Sequence, residues 1–291
     1  MQQLEIRVSQ NHDGCSVKTL LKSHYSVSTT LLNRLKRSEN GLLCNGKRVQ
    51  VNHILHSEDI LCVDLSDPAD TPLPPPMALP LSVGYEDAWL MVVNKPAGIA
   101  VHAASLSLEE PTLSNALSHH LGAPFHLVSR LDRGTSGLMI VAKCSYIHDQ
   151  LRRALHTDAL HREYLGIAEG HLSPPCGTID LPIGRDESSL LRRCIREDGL
   201  PALTKYETLL TTDRVSLLRL LPITGRTHQL RLHLSAMGHS LVGDWLYGTE
   251  DRTLITRPAL HSAHLRFVHP ITGEHLTFDT SLPEDMSSLV K

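Results

Sequence analysis

Arg130-Leu-Asp-Arg-Gly-Thr-Ser-Gly137 stands between two apolar runs, His126–Leu131 and Leu138–Lys143. Both runs are short, which is the pattern of strands joined by a turn. Gly134 and Gly137 loosen the connection. A carboxylate at a strand exit on such a loop can face a cleft. Arg130 and Arg133 flank Asp132 and favour its charged form. The same residues can also make a structural ion pair in a tight turn, and this segment alone does not choose between the two.

Working outward, further apolar strands are expected at Trp89–Asn94, Glu163–Ala168, Arg214–Leu221 and His264–Phe267. Helices are predicted at Thr112–Leu121, Tyr146–His156 and Thr227–Met237. Gly122 and Gly238 follow the first and third, where a glycine commonly stops a helix. Strands outnumber helices and often adjoin in sequence. That predicts an α+β fold around a mixed, mainly antiparallel sheet rather than a doubly wound one.

The run Ser66-Asp-Pro-Ala-Asp-Thr-Pro-Leu-Pro-Pro-Pro-Met-Ala-Leu-Pro80 marks the clearest boundary. Proline fixes φ and cannot donate a ladder hydrogen bond, so residues 67–80 read as a semi-rigid extended linker. It separates a small α/β unit (1–66) from a large one (81–291). The small unit reads as a strand (Leu4–Val8), helices near Ser16–His24 and Ser28–Ser38, then a hairpin. Ser28 or Thr29 suits a helix N-cap, and Asn45-Gly46 suits a two-residue turn with positive φ. Eight basic and six acidic residues give this unit a net charge of only +2.

Hydrophobic residues make up 41% of the 291 and charged residues 20%, as in ordinary globular proteins. No stretch approaches the roughly 20 apolar residues that cross a bilayer. The opening MQQLEIRVSQNHDG lacks the signal-peptide pattern, so a cytoplasmic protein is expected. The six cysteines form no close pair, which suits reduced thiols. A formal charge of −3 argues mildly against a nucleic-acid partner, although a concentrated patch can sit inside a near-neutral total.

Three other segments carry candidate chemistry. In Pro222-Ile-Thr-Gly-Arg-Thr-His-Gln-Leu-Arg-Leu-His-Leu-Ser-Ala-Met-Gly238, Leu230, Leu234 and Met237 follow helical spacing and should face the core. Thr227 can cap this helix, leaving Arg226 on the loop before it, to pair with a carboxylate across a cleft or simply to be solvated. Lys95 stands at a strand end, where it can meet a phosphate or face solvent. Tyr164 in Arg162-Glu-Tyr164 can pack in the core, stack on a base or take a proton. His228 and His233 lie five apart, not at the i, i+4 spacing of a helical zinc pair, so metal binding is not expected. Ser136 lacks the Gly-x-Ser-x-Gly elbow of a serine hydrolase.

Six blocks in order resemble the RluA-type pseudouridine synthases over about Tyr85 to Pro270. They are Asn94-Lys-Pro-Ala-Gly98 with His102, Arg130-Leu-Asp-Arg with Thr135-Ser-Gly137, Arg162-Glu-Tyr164, Thr224-Gly-Arg-Thr-His-Gln-Leu-Arg231, Gly243-Asp-Trp-Leu-Tyr-Gly248 and Leu260-His-Ser262. The small unit resembles, more loosely, the alpha-L RNA-binding module that often precedes this catalytic domain. The resemblance implies that Asp132 is the catalytic aspartate and that Tyr164 packs on the base and removes the proton at its 5-position. It implies that Arg226 pairs with the aspartate, that Arg130 helps extrude the uridine and that Leu260 lines the base pocket, with Lys95 and Arg133 as further RNA contacts. The partner is then rRNA or tRNA, acted on by a monomer without metal or nucleotide cofactor, since the isomerisation involves no redox change. Ser129, Gly134 and Arg162 depart from the family's usual His, acidic residue and Lys. Two rival readings are a catalytically silent RNA-binding protein on the same scaffold and a hydrolase that uses Asp132.

Overall fold

A computed structural model describes residues 2–103, 110–155 and 157–291. The small unit contains β1 (Gln3–Arg7), α1 (Val17–Ser23), α2 (Thr29–Arg37), β2 (Leu42–Cys44), β3 (Lys47–Arg48) and β4 (Ile60–Asp64). Its four strands pair in the order β1-β4-β2-β3. Ser28 caps α2, its hydroxyl accepting the Leu31 N–H at 3.1 Å. Asn45 and Gly46 take φ of 50° and 75°, as a two-residue turn of this kind requires.

The large unit is built on strands β5 (Ser82–Glu86), β6 (Leu90–Lys95), β7 (His126–Leu127), β8 (Ser136–Ala142), β9 (Leu160–Glu169) and β10 (Cys176–Asp180). They are followed by β11 (Ile183–Arg185), β12 (Arg193–Ile195), β13 (Leu203–Thr211), β14 (Val215–Pro222), β15 (Leu260–Val268) and β16 (His275–Asp279). Helices α3 (Leu113–Leu121), α4 (Ser145–Ala154), α5 (Gln229–Ala236) and α6 (Glu284–Ser287) complete it. The main sheet runs β10-β13-β14-β9-β15-β8-β6-β5, with β16 on β15 and β7 on β8. Every pairing in it is antiparallel except β15 with β8. The mixed, mainly antiparallel α+β architecture is therefore as expected. β11 and β12 form a separate hairpin.

The parallel contact at the centre of the sheet depends on one glycine. A Cβ on Gly137, at φ 114°, would lie 2.2 Å from the Ser262 carbonyl oxygen, so only glycine lets β8 approach β15 there. That approach sets the loop carrying Asp132 beside Leu260, the first residue of β15.

Some boundaries differ from expectation. The run beginning at His126 is a strand for only two residues before the chain turns away toward Arg130. The expected end of α4 at His156 lies outside the described residues. α5 starts at Gln229 rather than Thr227, because His228 takes a left-handed φ of 57° and makes no side-chain cap. Gln229 acts instead: its Oε1 accepts the Arg226 N–H at 2.9 Å and the Thr224 hydroxyl at 2.8 Å. Gly122 and Gly238 do end helical runs with positive φ.

The two units share their apolar interior. One cluster takes in Leu20, Leu32 and Leu61 from the small unit with Ile140, Ile147 and Phe267 from the large one. The Tyr146 hydroxyl and the Gln150 amide both donate to the Tyr25 carbonyl, at 2.9 and 3.0 Å. The proline-rich stretch carries no helix or strand, yet it is tied down. Asp67, with a 5% exposed side chain, accepts from Arg34, His126 and both the N–H and the hydroxyl of Ser145 at 2.6–3.1 Å. Burial alone would raise its pKa; these donors override that and bring it down to about 2.

Candidate active site

A cleft of about 1030 Å³ opens beside the centre of the sheet, with Asp132, Tyr164, Leu260, Arg130 and Arg231 among its lining residues. Asp132 is half-buried on the loop before β8. Tyr164 projects from β9, opposite Leu220 on one side and Ser262 on the other. Tyr164 and Leu260 are only 7% and 4% exposed, giving the cleft an apolar floor beneath the carboxylate. Burial raises the Tyr164 phenol pKa against the opposing pull of Arg162 and the Ser262 hydrogen bond, so the phenol is neutral at rest.

The guanidinium that meets Asp132 belongs to Arg231, not Arg226. Arg231 sits on the first turn of α5 with a 6% exposed side chain. Its Nε and Nη2 each meet Asp244 at 2.7 Å, and its Nη1 donates to Asp132 Oδ2 at 3.2 Å. Its guanidinium also lies 5.3 Å from the Tyr247 ring centroid. Burial would lower the Arg231 pKa, but Asp244 and Asp132 reverse this and raise it, so the group stays charged. This fork holds Asp132 by one oxygen while two bonds to Asp244 fix the arginine itself. Arg226 is exposed at the cleft rim, where its Nε donates to the Pro201 carbonyl at 3.1 Å. Arg226 stands on the loop before α5, as expected, but that loop carries it outward, while position 231 on the helix faces in.

Lys95 also differs from expectation. It is fully buried and does not line the cleft, so it is not placed to meet a phosphate. Its ammonium donates to the carbonyls of Pro96, Ile99 and Arg133 at 2.9, 2.9 and 3.2 Å. Burial lowers its pKa to about 8, against the pull of Asp132. Lys95 thus fastens the loop carrying Asp132 to the end of β6. Arg130 is exposed at the cleft, and Arg133 lines it while pairing with Glu110. The glycine at 134 fits its surroundings: a Cβ there would sit 2.9 Å from Pro258 Cδ.

The sequence alone assigns no role to Arg231, His228, Asp244 or Tyr247. His228 Nε2 lies 3.9 Å from Asp132 Oδ2, and its Nδ1 lies 2.9 Å from the Tyr247 hydroxyl. All four residues fall in the blocks Thr224–Arg231 and Gly243–Gly248. The signal was present; their inward direction was not legible.

Comparison with known proteins identifies the family. The RNA pseudouridylate synthase family model matches residues 89–236. An uncharacterized RNA pseudouridine synthase of Bacillus subtilis, YjbO, is 38% identical over 274 residues, covering 91% of this chain and 95% of that protein. The ribosomal large subunit pseudouridine synthase D of Zymomonas mobilis is 37% identical over 246 residues, covering 76% of this chain and 77% of that one. Among solved structures, human RNA pseudouridylate synthase domain containing 1 is 31% identical with a TM-score of 0.58, covering 71% of this chain and 85% of that chain. The chain belongs to the RNA pseudouridylate synthase family, in its RluA branch, and is an isomerase of that family.

Proposed function

We propose that this protein converts specific uridines of ribosomal or transfer RNA to pseudouridine, with Asp132 as the catalytic carboxylate. The observation that carries the reading is Asp132 held by buried Arg231 over an apolar floor of Tyr164 and Leu260. Isomerisation breaks the N-glycosidic bond, turns the base and forms a C–C bond with no redox change. The groups such chemistry calls for are a carboxylate, a fixed neighbouring cation and a slot for a swung-out base. No metal or nucleotide cofactor is required by it.

In this reading the uridine leaves its stack and enters the cleft, assisted by Arg130. Its base packs on Tyr164 and Leu260, which exclude water from the reacting face. Asp132 acts on the nucleoside, and Arg231 stabilises its charge and limits its rotation. The proton that finally leaves C5 is relayed through Tyr164, whose phenol oxygen takes it as the phenolic proton passes to water. Arg226 and Arg133 serve as RNA contacts at the rim. The small unit, residues 1–66, is an alpha-L-like RNA-binding domain joined through 67–80 to a catalytic domain at 81–291. The protein works as a cytoplasmic monomer.

The decisive experiment substitutes Asp132→Asn. Pseudouridine formation is expected to vanish while RNA affinity stays nearly unchanged, and a fully active variant would overturn the assignment. Release of a free base or sugar would favour a hydrolase instead. Mapping pseudouridine in total RNA from cells with and without the protein identifies the RNA and the position.

A further inference from the structure

We infer that His228 is a positioning residue for Asp132, fixed by Tyr247 as the neutral tautomer with its proton on Nε2. The inference rests on Asp132 being the catalytic carboxylate.

His228 takes a left-handed backbone conformation that side chains rarely adopt, yet it gives α5 no capping hydrogen bond. What the conformation achieves is direction. The imidazole turns inward, Nδ1 to the Tyr247 hydroxyl at 2.9 Å and Nε2 toward Asp132 Oδ2 at 3.9 Å.

The tautomer follows from hydrogen-bond accounting at Tyr247. Its oxygen accepts the backbone N–H of Arg193 at 2.8 Å. Among the described residues, the acceptor within reach of its own proton is His228 Nδ1. A ring whose Nδ1 accepts carries its proton on Nε2, and that proton faces Asp132. Burial lowers the imidazole pKa; Arg231 and Arg193 lower it further, while Asp132 and Asp244 pull the other way, so the ring is neutral.

A neutral donor suits this place. Arg231 already supplies a full charge to Asp132, and a second cation would stabilise the carboxylate at the expense of its reactivity. A neutral N–H instead selects the carboxylate's rotation. At 3.9 Å the contact is too long for a hydrogen bond, and a closure of about 1 Å when the cleft fills would complete it, since catalytic hydrogen bonds often tighten only with substrate. The positions of Tyr247 and Arg193 then fix the angle at which Asp132 meets the ribose or base.

The test compares His228→Gln with His228→Met. The two side chains are unbranched and alike in length, and both meet the same left-handed backbone; only glutamine ends in an N–H donor. On an RNA that the wild type modifies, the glutamine variant should keep single-turnover rates within about tenfold. The methionine variant should lose about 100-fold, the upper end of what losing an orienting hydrogen-bond partner costs at a metal ligand, with RNA affinity unchanged in both. Tyr247→Phe keeps the ring beneath Arg231 but removes the proton donor. It should slow turnover, and combining it with His228→Met should add little further loss. A folded methionine variant as fast as the glutamine variant would overturn the inference. If neither His228 variant folds, wild-type turnover in Tyr247→Phe would overturn it. Activity in Asp132→Asn, by contrast, would remove the functional reading itself.

Discussion

Replacing Arg231 with methionine separates what this arginine does for the fold from what it does for the site. Among the described residues, the substitution leaves the fully buried Asp244 carboxylate with only the Leu246 and Tyr247 N–H donors, at 3.1 and 3.2 Å. Leaving one partner of a buried ion pair alone costs about 3–5 kcal/mol. Adding Asp244→Asn removes the orphaned charge while keeping an oxygen for those two donors, so most of that loss should return. Turnover should not return with it. Asp132 still lacks its charge-assisted hydrogen bond from Nη1, worth about 1.5–3 kcal/mol, or about 10- to 100-fold in rate. Urea unfolding followed by circular dichroism reads the first quantity. Tritium release from RNA labelled at the uridine 5-position reads the second. A single variant that loses less than about 1 kcal/mol would refute the energetic argument. A double variant that regains both stability and wild-type turnover would show that Arg231 acts through the fold alone.

Three further outcomes are expected. Arg226→Gln should leave the single-turnover rate unchanged, weaken RNA binding a few-fold and reduce the salt slope of binding by about 1; a 100-fold loss of rate would return Arg226 to the reacting centre. Lys95→Met strips three carbonyls of their donor and should cost about 3 kcal/mol or more in urea unfolding, so an unchanged midpoint would remove its fastening role. Asp67 has a folded pKa of about 2 against 3.8 for the free side chain, so the unfolded chain binds more protons in that interval. Its contribution, about 2 kcal/mol, is complete above pH 3.8 and is lost as pH falls toward 2. Wild-type stability should therefore fall more steeply than that of Asp67→Asn across that window, and parallel curves would count against the network.

Local chemistry was legible where a residue's identity alone decides the backbone. The turn at Asn45-Gly46, a cap at Ser28 or Thr29 and the stops at Gly122 and Gly238 are legible because positive φ and capping depend on near neighbours; the structure settles the cap on Ser28. The strands at 90–95, 136–142 and 160–169 were visible as apolar runs, which gave the sheet but not its order. The parallel meeting of β8 and β15 joins residues about 125 apart, as in the Ser136–His261 hydrogen bond, and nothing local encodes it. For the same reason Arg226 stood in for Arg231. Both lie in one block, and which of the two side chains turns inward is not written in the residue types. Lys95 misled because a lysine at a strand end is ordinarily solvated, whereas here three distant or looping carbonyls converge on it. Asp67 lay hidden in a proline-rich stretch whose composition spoke of extension, not of the arginine and histidine that meet it.

The common interior of the two units makes the molecule a calliper rather than a hand on a flexible wrist. The small unit stands at one distance and one angle from Asp132, since moving it would open an apolar cluster that both units share. If the small unit holds RNA as proposed, the target uridine must lie at a matching span from the feature that is held.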